Sequence, residues 1–347
     1  MPSIFDLVTA TEVASYWELF SKDRAPYLGE ELFPNDKKLG LDLSWIKGSA
    51  GIPVVLKPSA FDAVAVPRAR IGFDKLSAEM PFFKESLYID EQLRQQLNMV
   101  LATGNQNYID AVLNRVFNDS MNLIEGAAAQ RERMRMMMLT TGAISISANG
   151  QSYTYDYGLP SSHKATVTTS WSTTTADIGG DILEGIAKIE DDTGVTPARA
   201  VCGRGVWANM LANEKFIKSV FVLSNGNATL TDSQLKQHLL DAYGIDVVVN
   251  TKLYKDESGD QTKYVPDDTF VLFPAGKLGT TWFGTTPEES DLMSGSVTDA
   301  MTSLVDTGVA VTTMKRTDPV NVETKATMIS LPSFEAADSV YILDTTA

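Results

Sequence analysis

Between Asn107 and Thr141, Ile109, Val112, Leu113, Val116, Phe117, Met121, Ile124, Ala127, Ala128, Met134, Met137 and Met138 recur mostly at intervals of three and four. That period belongs to one face of an α-helix. A single helix over these residues would be about 52 Å long, several times the usual length, and it constrains the fold more than any other feature. Gly126 either bends this helix or marks a close packing contact.

The helix closes on the stretch RERMRMMMLTTGAISI, residues 131–146. Arg131, Arg133 and Arg135 followed by Thr-Thr-Gly read as a helix C-terminus, where cations offset the dipole and glycine ends the last turn. At about 100° per residue Met134, Met137 and Met138 share a face, while Met136 points nearly opposite. The shared face reads as core packing, methionine being a common gap-filler. A thioether metal site would recruit cysteine or histidine, and the nearest candidates are His163 and the single Cys202. Met136 is therefore assigned to contact with another chain.

Beyond Gly142 the periodicity drops to two. Ile144 and Ile146, an Asn149-Gly150 turn, then Tyr153, Tyr155 and Tyr157 predict a β-hairpin. A Ser/Thr-rich connection at 162–176 marks a domain boundary. From Asp177 to about Leu292 short helices alternate with short strands, including PARAVCG, IDVVVN and TFVLFP, as expected of a compact α/β unit. The remainder, TGVAVTTMKRTDPVNVETKATMISLPSF, is extended and is expected to rejoin the sheet begun at Ala143.

Ahead of the long helix the chain has little core of its own. Thr9 with Glu12 forms a capping box before Val13, Tyr16, Trp17 and Phe20 at helical spacing. Leu32, Phe33, Pro34 and KKLGLDLSWIKG then read as an extended arm without a partner. From Gly48 to Ile89, Pro53, Pro58, Pro67 and Pro81 punctuate short β-rich fragments, which proline confines to edges or projecting hairpins. An insertion of that length is usually functional.

The 29 basic against 44 acidic side chains, net −15, oppose sequence-independent binding to phosphate backbones. One cysteine excludes an intramolecular disulfide and suits a reducing compartment, with Cys202 expected to be buried and apolar. The first twenty residues lack a basic n-region and carry Asp6 and Glu12, so no secretion signal is read, and no apolar run approaches membrane-spanning length.

Two histidines, His163 and His238, leave few ways to build a nucleophilic triad, and both are expected at partly exposed positions. Hydrolase, zinc-protease, CxxC and P-loop motifs are absent. DESGDQT at 256–262 lacks the ligand spacing of a calcium loop and reads as a hairpin tip. The pairs Glu190-Asp191 and Glu288-Glu289 are chance neighbours in an acidic chain. No catalytic residue, cofactor or metal ligand is assigned.

LFP in the arm, AEMPFFKE leaving the loop, RMRMMMLTTGAISI with YDYG, VPDDTFVLFPAGKLGTTWFGTTPE and DPVNVETKATMISLPSF, in this order, resemble the lambda-like major capsid protein E family of tailed phages. The resemblance, from about residue 30 onward, implies an α+β HK97-like fold. Its parts would be an N-terminal arm at 1–47, an extended β-hairpin loop at 48–90, and a peripheral domain of spine helix on an antiparallel sheet at 91–176 and 293–347. An α/β axial domain is inserted at 177–292. The implied function is self-assembly into hexamers and pentamers of an icosahedral head around double-stranded DNA, within a virion made in the host bacterial cytoplasm. The implied partners are a separate scaffolding protein and a portal, with the presence of a decoration protein left open, and with no membrane and no sequence-specific DNA contact. Lys57 and Lys75 are the loop lysines that a crosslinking relative would use, surface lysine being the commoner role. Intersubunit contact is expected from Trp17, Phe20, Phe61, Val64, Val66, Arg68, Arg70, Ile71, Phe73 and Met136. The alternatives are an encapsulin-like nanocompartment shell, which shares the fold, and an acidic α/β enzyme built on 177–292.

Overall fold

The computed structural model describes residues 9–21, 25–47, 74–89, 91, 92, 95, 96, 99, 106–221, 229–295, 300–317 and 320–347. The chain forms two compact units, each assembled from three separate segments. The first takes residues 1–43, 78–134 and 280–333, and the second takes 44–77, 135–279 and 334–347.

The long helix runs Gln106–Thr141, 36 residues, unbroken at Gly126, where an added Cβ would meet only Glu85 Oε2 at 4.0 Å. Gly126 thus neither breaks the helix nor marks a tight contact.

In the first unit, strands are ordered Asn35–Lys37, Thr280–Phe283, Val320–Ser333, Val309–Thr317 and Ala300–Val305, with Phe82–Ile89 also paired to the 14-residue strand Val320–Ser333. Alternation puts every second side chain of these strands on the helix side. Met121 and Ile124 of the helix pack with Val311 and Val322, and Leu123 packs with Phe283, Val309, Ala326 and Met328. The strand Phe82–Ile89, read from its prolines as part of a projecting loop, is in this sheet. Its register Val322↔Ile89 to Ile329↔Phe82 leaves Pro81 just outside the ladder, where its missing N–H costs nothing.

The amino-terminal arm is also better anchored than expected. The Thr9–Glu12 box caps the helix Ala10–Ser21, which lays Val13 and Trp17 into the same core. Tyr16 stacks on Phe117 with centroids 5.6 Å apart. Leu32 and Phe33 are fully buried, and Asn35–Lys37 pairs in parallel with Thr280–Phe283. The arm finds its partners in its own chain, some 250 residues away, which local pattern cannot reveal.

In the second unit a five-stranded mixed sheet is ordered Lys164–Thr166, Tyr341–Asp344, Thr269–Phe273, Arg199–Cys202 and Asp246–Val249. Helix Ile178–Thr193 packs Ile182 and Ile189 onto it. Gly185 permits that approach, since a Cβ there would stand 2.8 Å from Leu272 and 2.9 Å from Tyr341. Helix Asp232–Tyr243 has the Thr231–Gln234 capping box and ends at Gly244 in the left-handed region. The hairpin Ala143–Ala148 with Gln151–Asp156 turns on Asn149 at φ 51° and Gly150 at φ 76°, as a type I′ turn requires.

Two expectations about the sheets fail. The returning strands do not rejoin the hairpin, which remains two-stranded, but form the first unit's sheet with the arm and Phe82–Ile89. Thr280–Phe283, expected in the α/β unit, belongs to that sheet, and Tyr341–Asp344, expected in the peripheral sheet, belongs to the second unit's.

Candidate functional site

The residues expected to meet neighbouring subunits fall into three groups. Phe61, Val64, Val66, Arg68, Arg70, Ile71 and Phe73 lie outside the described residues, as does Lys57. Trp17 is buried, 5% exposed, in the first unit's core, so it is a packing residue of its own chain. Phe20, one turn on, is 44% exposed beside Leu19 and remains available to a partner.

Met136 reverses the expectation. It is fully buried, its Sδ 3.9 Å from Asn250 Nδ2, while Met137 is the half-exposed member of the run. Met137 Sδ instead accepts from the Ser145 amide at 3.3 Å. Helical geometry sets the angle between two side chains but not which direction is covered. Here Met134, Met136, Met138 and Leu139 are all enclosed, as at a helix end surrounded on most sides.

The arginines beside them were expected to serve the helix dipole. No basic residue lies in the last turn, and Arg131 and Arg135 are buried. Arg131 donates to Asp306 at 2.6 Å and lies 5.4 Å from the centroid of Phe283. Asp306, at φ 57°, turns the chain between strands Ala300–Val305 and Val309–Thr317.

The acidic pair Glu288-Glu289 is also structural. Glu288 binds Lys325 and accepts from Thr327, while Glu289 binds Lys37, so the short helix Pro287–Ser294 is pinned at its first turn by two lysines. Burial opposes ionisation of Glu288, but the Lys325 hydrogen bond and charge outweigh it and hold its pKa below the usual value. Arg316 chelates Glu323 with Nε at 2.7 Å and Nη2 at 2.6 Å, and its guanidinium carbon lies 5.2 Å from the Tyr88 ring centroid.

The two histidines differ in placement. His163, expected to be partly exposed, is fully buried between the Val340 carbonyl and Asp192, because the turn that carries it is tucked under the last strand. His238 is half-buried, as expected, and its Nε2 lies 3.0 Å from Ser219 Oγ, a nucleophile-and-base pairing that sequence spacing did not suggest. Ser219 donates its proton to the Phe216 carbonyl at 2.8 Å, as a hydroxyl near a helix end does, which withholds it from the imidazole. Burial lowers the His238 pKa, against an opposing effect of Asp241. Cys202 is buried and its thiol pushed up to about 12, so it is inert packing. The 256–262 stretch is a tight turn in which Asp256 accepts from the amides of Ser258 and Asp260. Among the described residues no cluster of His, Cys, Asp and Glu suits a metal ion, and no helix is long and apolar enough to cross a membrane.

What the surface offers instead is apolar. Met301 and Leu304 on the edge strand Ala300–Val305, and Leu292 and Met293 at the end of helix Pro287–Ser294, are exposed in the first unit. These four were not picked out from sequence. Their signal was an apolar pair ending an acidic helix, PEESDLMS, and it is weak on its own.

A long helix against a largely antiparallel sheet, with a separate α/β unit and a tyrosine-bearing hairpin, defines the HK97-like capsid fold. It is shared with a phage-related protein from Bordetella bronchiseptica RB50, at a TM-score of 0.56, 10% identity and 97% coverage of both chains. A candidate prophage capsid protein from E. coli CFT073 has a TM-score of 0.55 and 15% identity, over 78% of this chain and 79% of its own. The capsid of cyanophage A-1(L) has a TM-score of 0.53 and 11% identity, over 92% and 91%. The chain belongs to the phage major capsid protein E family, whose model matches residues 9–345. No curated protein matches it by sequence. The protein is thus a structural component of phage heads, and the family match favours this over a nanocompartment shell.

Proposed function

We propose that this chain is the shell subunit of an icosahedral head, assembling into hexamers and pentamers that enclose double-stranded DNA, and that it has no enzymatic activity. The observation that carries this reading is the family match over residues 9–345. The net charge of −15 agrees with it, because a wall that gripped phosphate would impede filling. The division into arm (1–47), loop (48–90), peripheral domain (91–176 and 293–347) and axial domain (177–292) belongs to the same reading, except that Thr280–Phe283 goes with the peripheral sheet and Tyr341–Asp344 with the axial one. So do contacts to neighbours through Phe20, Phe61, Val64, Val66, Arg68, Arg70, Ile71 and Phe73. A scaffolding protein would guide curvature, a portal would occupy one vertex and a decoration protein could clamp the finished shell, with assembly in the host bacterial cytoplasm.

Electron microscopy with sedimentation of the purified protein, alone and with its scaffold, is the test. Shells, tubes or capsomers far larger than the 37.8 kDa chain are expected. A monomer at high concentration with turnover of a small substrate would overturn the reading.

A further inference from the structure

We propose that His163 is a protonation-dependent latch holding the strand Tyr341–Asp344 to the helix Ile178–Thr193 within one subunit. The imidazole is fully buried, with Nδ1 3.0 Å from the Val340 carbonyl oxygen and Nε2 2.9 Å from Asp192 Oδ2. A carbonyl oxygen and an ionised carboxylate only accept, and a neutral imidazole has one N–H to give. The doubly protonated ring alone satisfies both partners.

The groups around the ring keep these roles. Asp192 is held below the usual carboxylate range by its hydrogen bonds with His163 and then with Lys188 of the same helix, so it stays an acceptor. From the strand side the ring faces Tyr341, centroids 6.1 Å apart, whose phenol is raised by burial and by Glu184 and Asp181, and which stays neutral. The remaining charged side chains on the adjoining segments are Lys164, Glu190, Asp191, Asp338 and Asp344.

The latch has leverage because of where it sits. His163 ends the turn Ser161–His163 and immediately precedes Lys164–Thr166, the sheet's edge strand, which pairs in parallel with Tyr341–Asp344. One side chain therefore joins the edge strand, the entry to the strand beside it and a helix packed on the sheet. When the ring loses a proton, one N–H is lost. If the bond to Val340 persists, a lone pair then faces the Asp192 carboxylate at 2.9 Å. The latch is closed while the ring carries both N–H groups and Asp192 is ionised, and it opens when the ring gives up one of those protons.

Amide hydrogen exchange on the full chain, corrected for intrinsic rates, tests this at about pH 5.5 and about pH 8. Amides of Tyr341–Asp344 and Lys164–Thr166 should lose roughly tenfold protection at the higher pH, while the opposite edge, Asp246–Val249, keeps its own. His163→Gln, which donates at every pH, should flatten the dependence. Should that variant fail to fold, Asp192→Asn decides the matter: the Asp192 side chain is 39% exposed, so the site tolerates the change, and the substitution removes the charge that the imidazolium needs. Unchanged protection across pH in the native chain, or a pH-dependent loss in Asp192→Asn as large as the native one, would overturn the proposal.

Discussion

Arg131 donates to the Asp306 carboxylate at 2.6 Å from a side chain that is only 2% exposed, and it does so beneath the turn between two strands of the first unit's sheet. A buried cation of this kind is costly once a partner is removed, because desolvation is then uncompensated. Asp306→Ala should lose about 3 kcal/mol in urea unfolding, whereas Arg131→Met, which removes charge and keeps volume, should lose less. Equal losses would show that the pair acts through shape alone.

The methionine run gives an asymmetric pair of substitutions. Met136→Glu places an unpaired carboxylate in a fully buried position and should cost about 3 kcal/mol or more. Met137→Glu, at a half-exposed position, should cost well under half of that in the same guanidinium titration. The reverse order would mean that the helix end is rotated about its axis.

Acid stability follows from Glu288 and Glu323, both held below the ordinary glutamate value of 4.5. For each, burial works against ionisation, and the bonds that win are from Lys325 to Glu288, and from Ser86 and Arg316 to Glu323. A depressed carboxylate adds stability that is fully present above its unfolded value and is lost as pH falls through its folded value. The unfolding midpoint should therefore fall below about pH 4.5, and Glu288→Gln should make the decline shallower.

Gly203 begins helix Arg204–Ala212 where a Cβ would overlap the Pro266 carbonyl oxygen. Because the obstacle is backbone, Gly203→Ala should lower stability by about 1–3 kcal/mol. Thermal unfolding of that variant beside Gly244→Asn, an open left-handed position, separates the clash from loss of glycine in general.

The loop bears on assembly. Removing residues 55–72 across a short Gly-Ser turn should leave the circular dichroism of the dissociated subunit nearly unchanged while closed particles fail to form. Arg68→Glu with Arg70→Glu should weaken assembly more at low salt than at high, as screened surface pairing would. Normal shells from the deletion would reduce the loop to decoration.

The long helix was legible to within one residue at its start, and the Asn149-Gly150 hairpin and the capping boxes at Thr9 and Thr231 were legible as well. Each rests on interactions within a few residues, which periodicity and turn chemistry encode directly. Strand partnership was not legible. Thr280–Phe283 and Tyr341–Asp344 went to sheets other than those expected, because pairing such as Thr281↔Pro332 is decided by long-range packing that leaves no local trace. The burial of Trp17 and Met136 was missed for the same reason, since the surfaces that cover them come from distant parts of the chain.

That dispersal has a consequence for synthesis. Asn35–Lys37 is made well before Thr280–Phe283, the strand it pairs with, and Phe82–Ile89 must wait for Val320–Ser333. Chains stalled before residue 280 should accordingly be cut by protease at the arm, and full-length chains should resist. Until residue 333 has been made the sheet lacks its 14-residue strand, so a nascent chain has no finished surface to offer a neighbour. On the proposed reading, the order in which the strands are translated would set the earliest moment at which one subunit could join another.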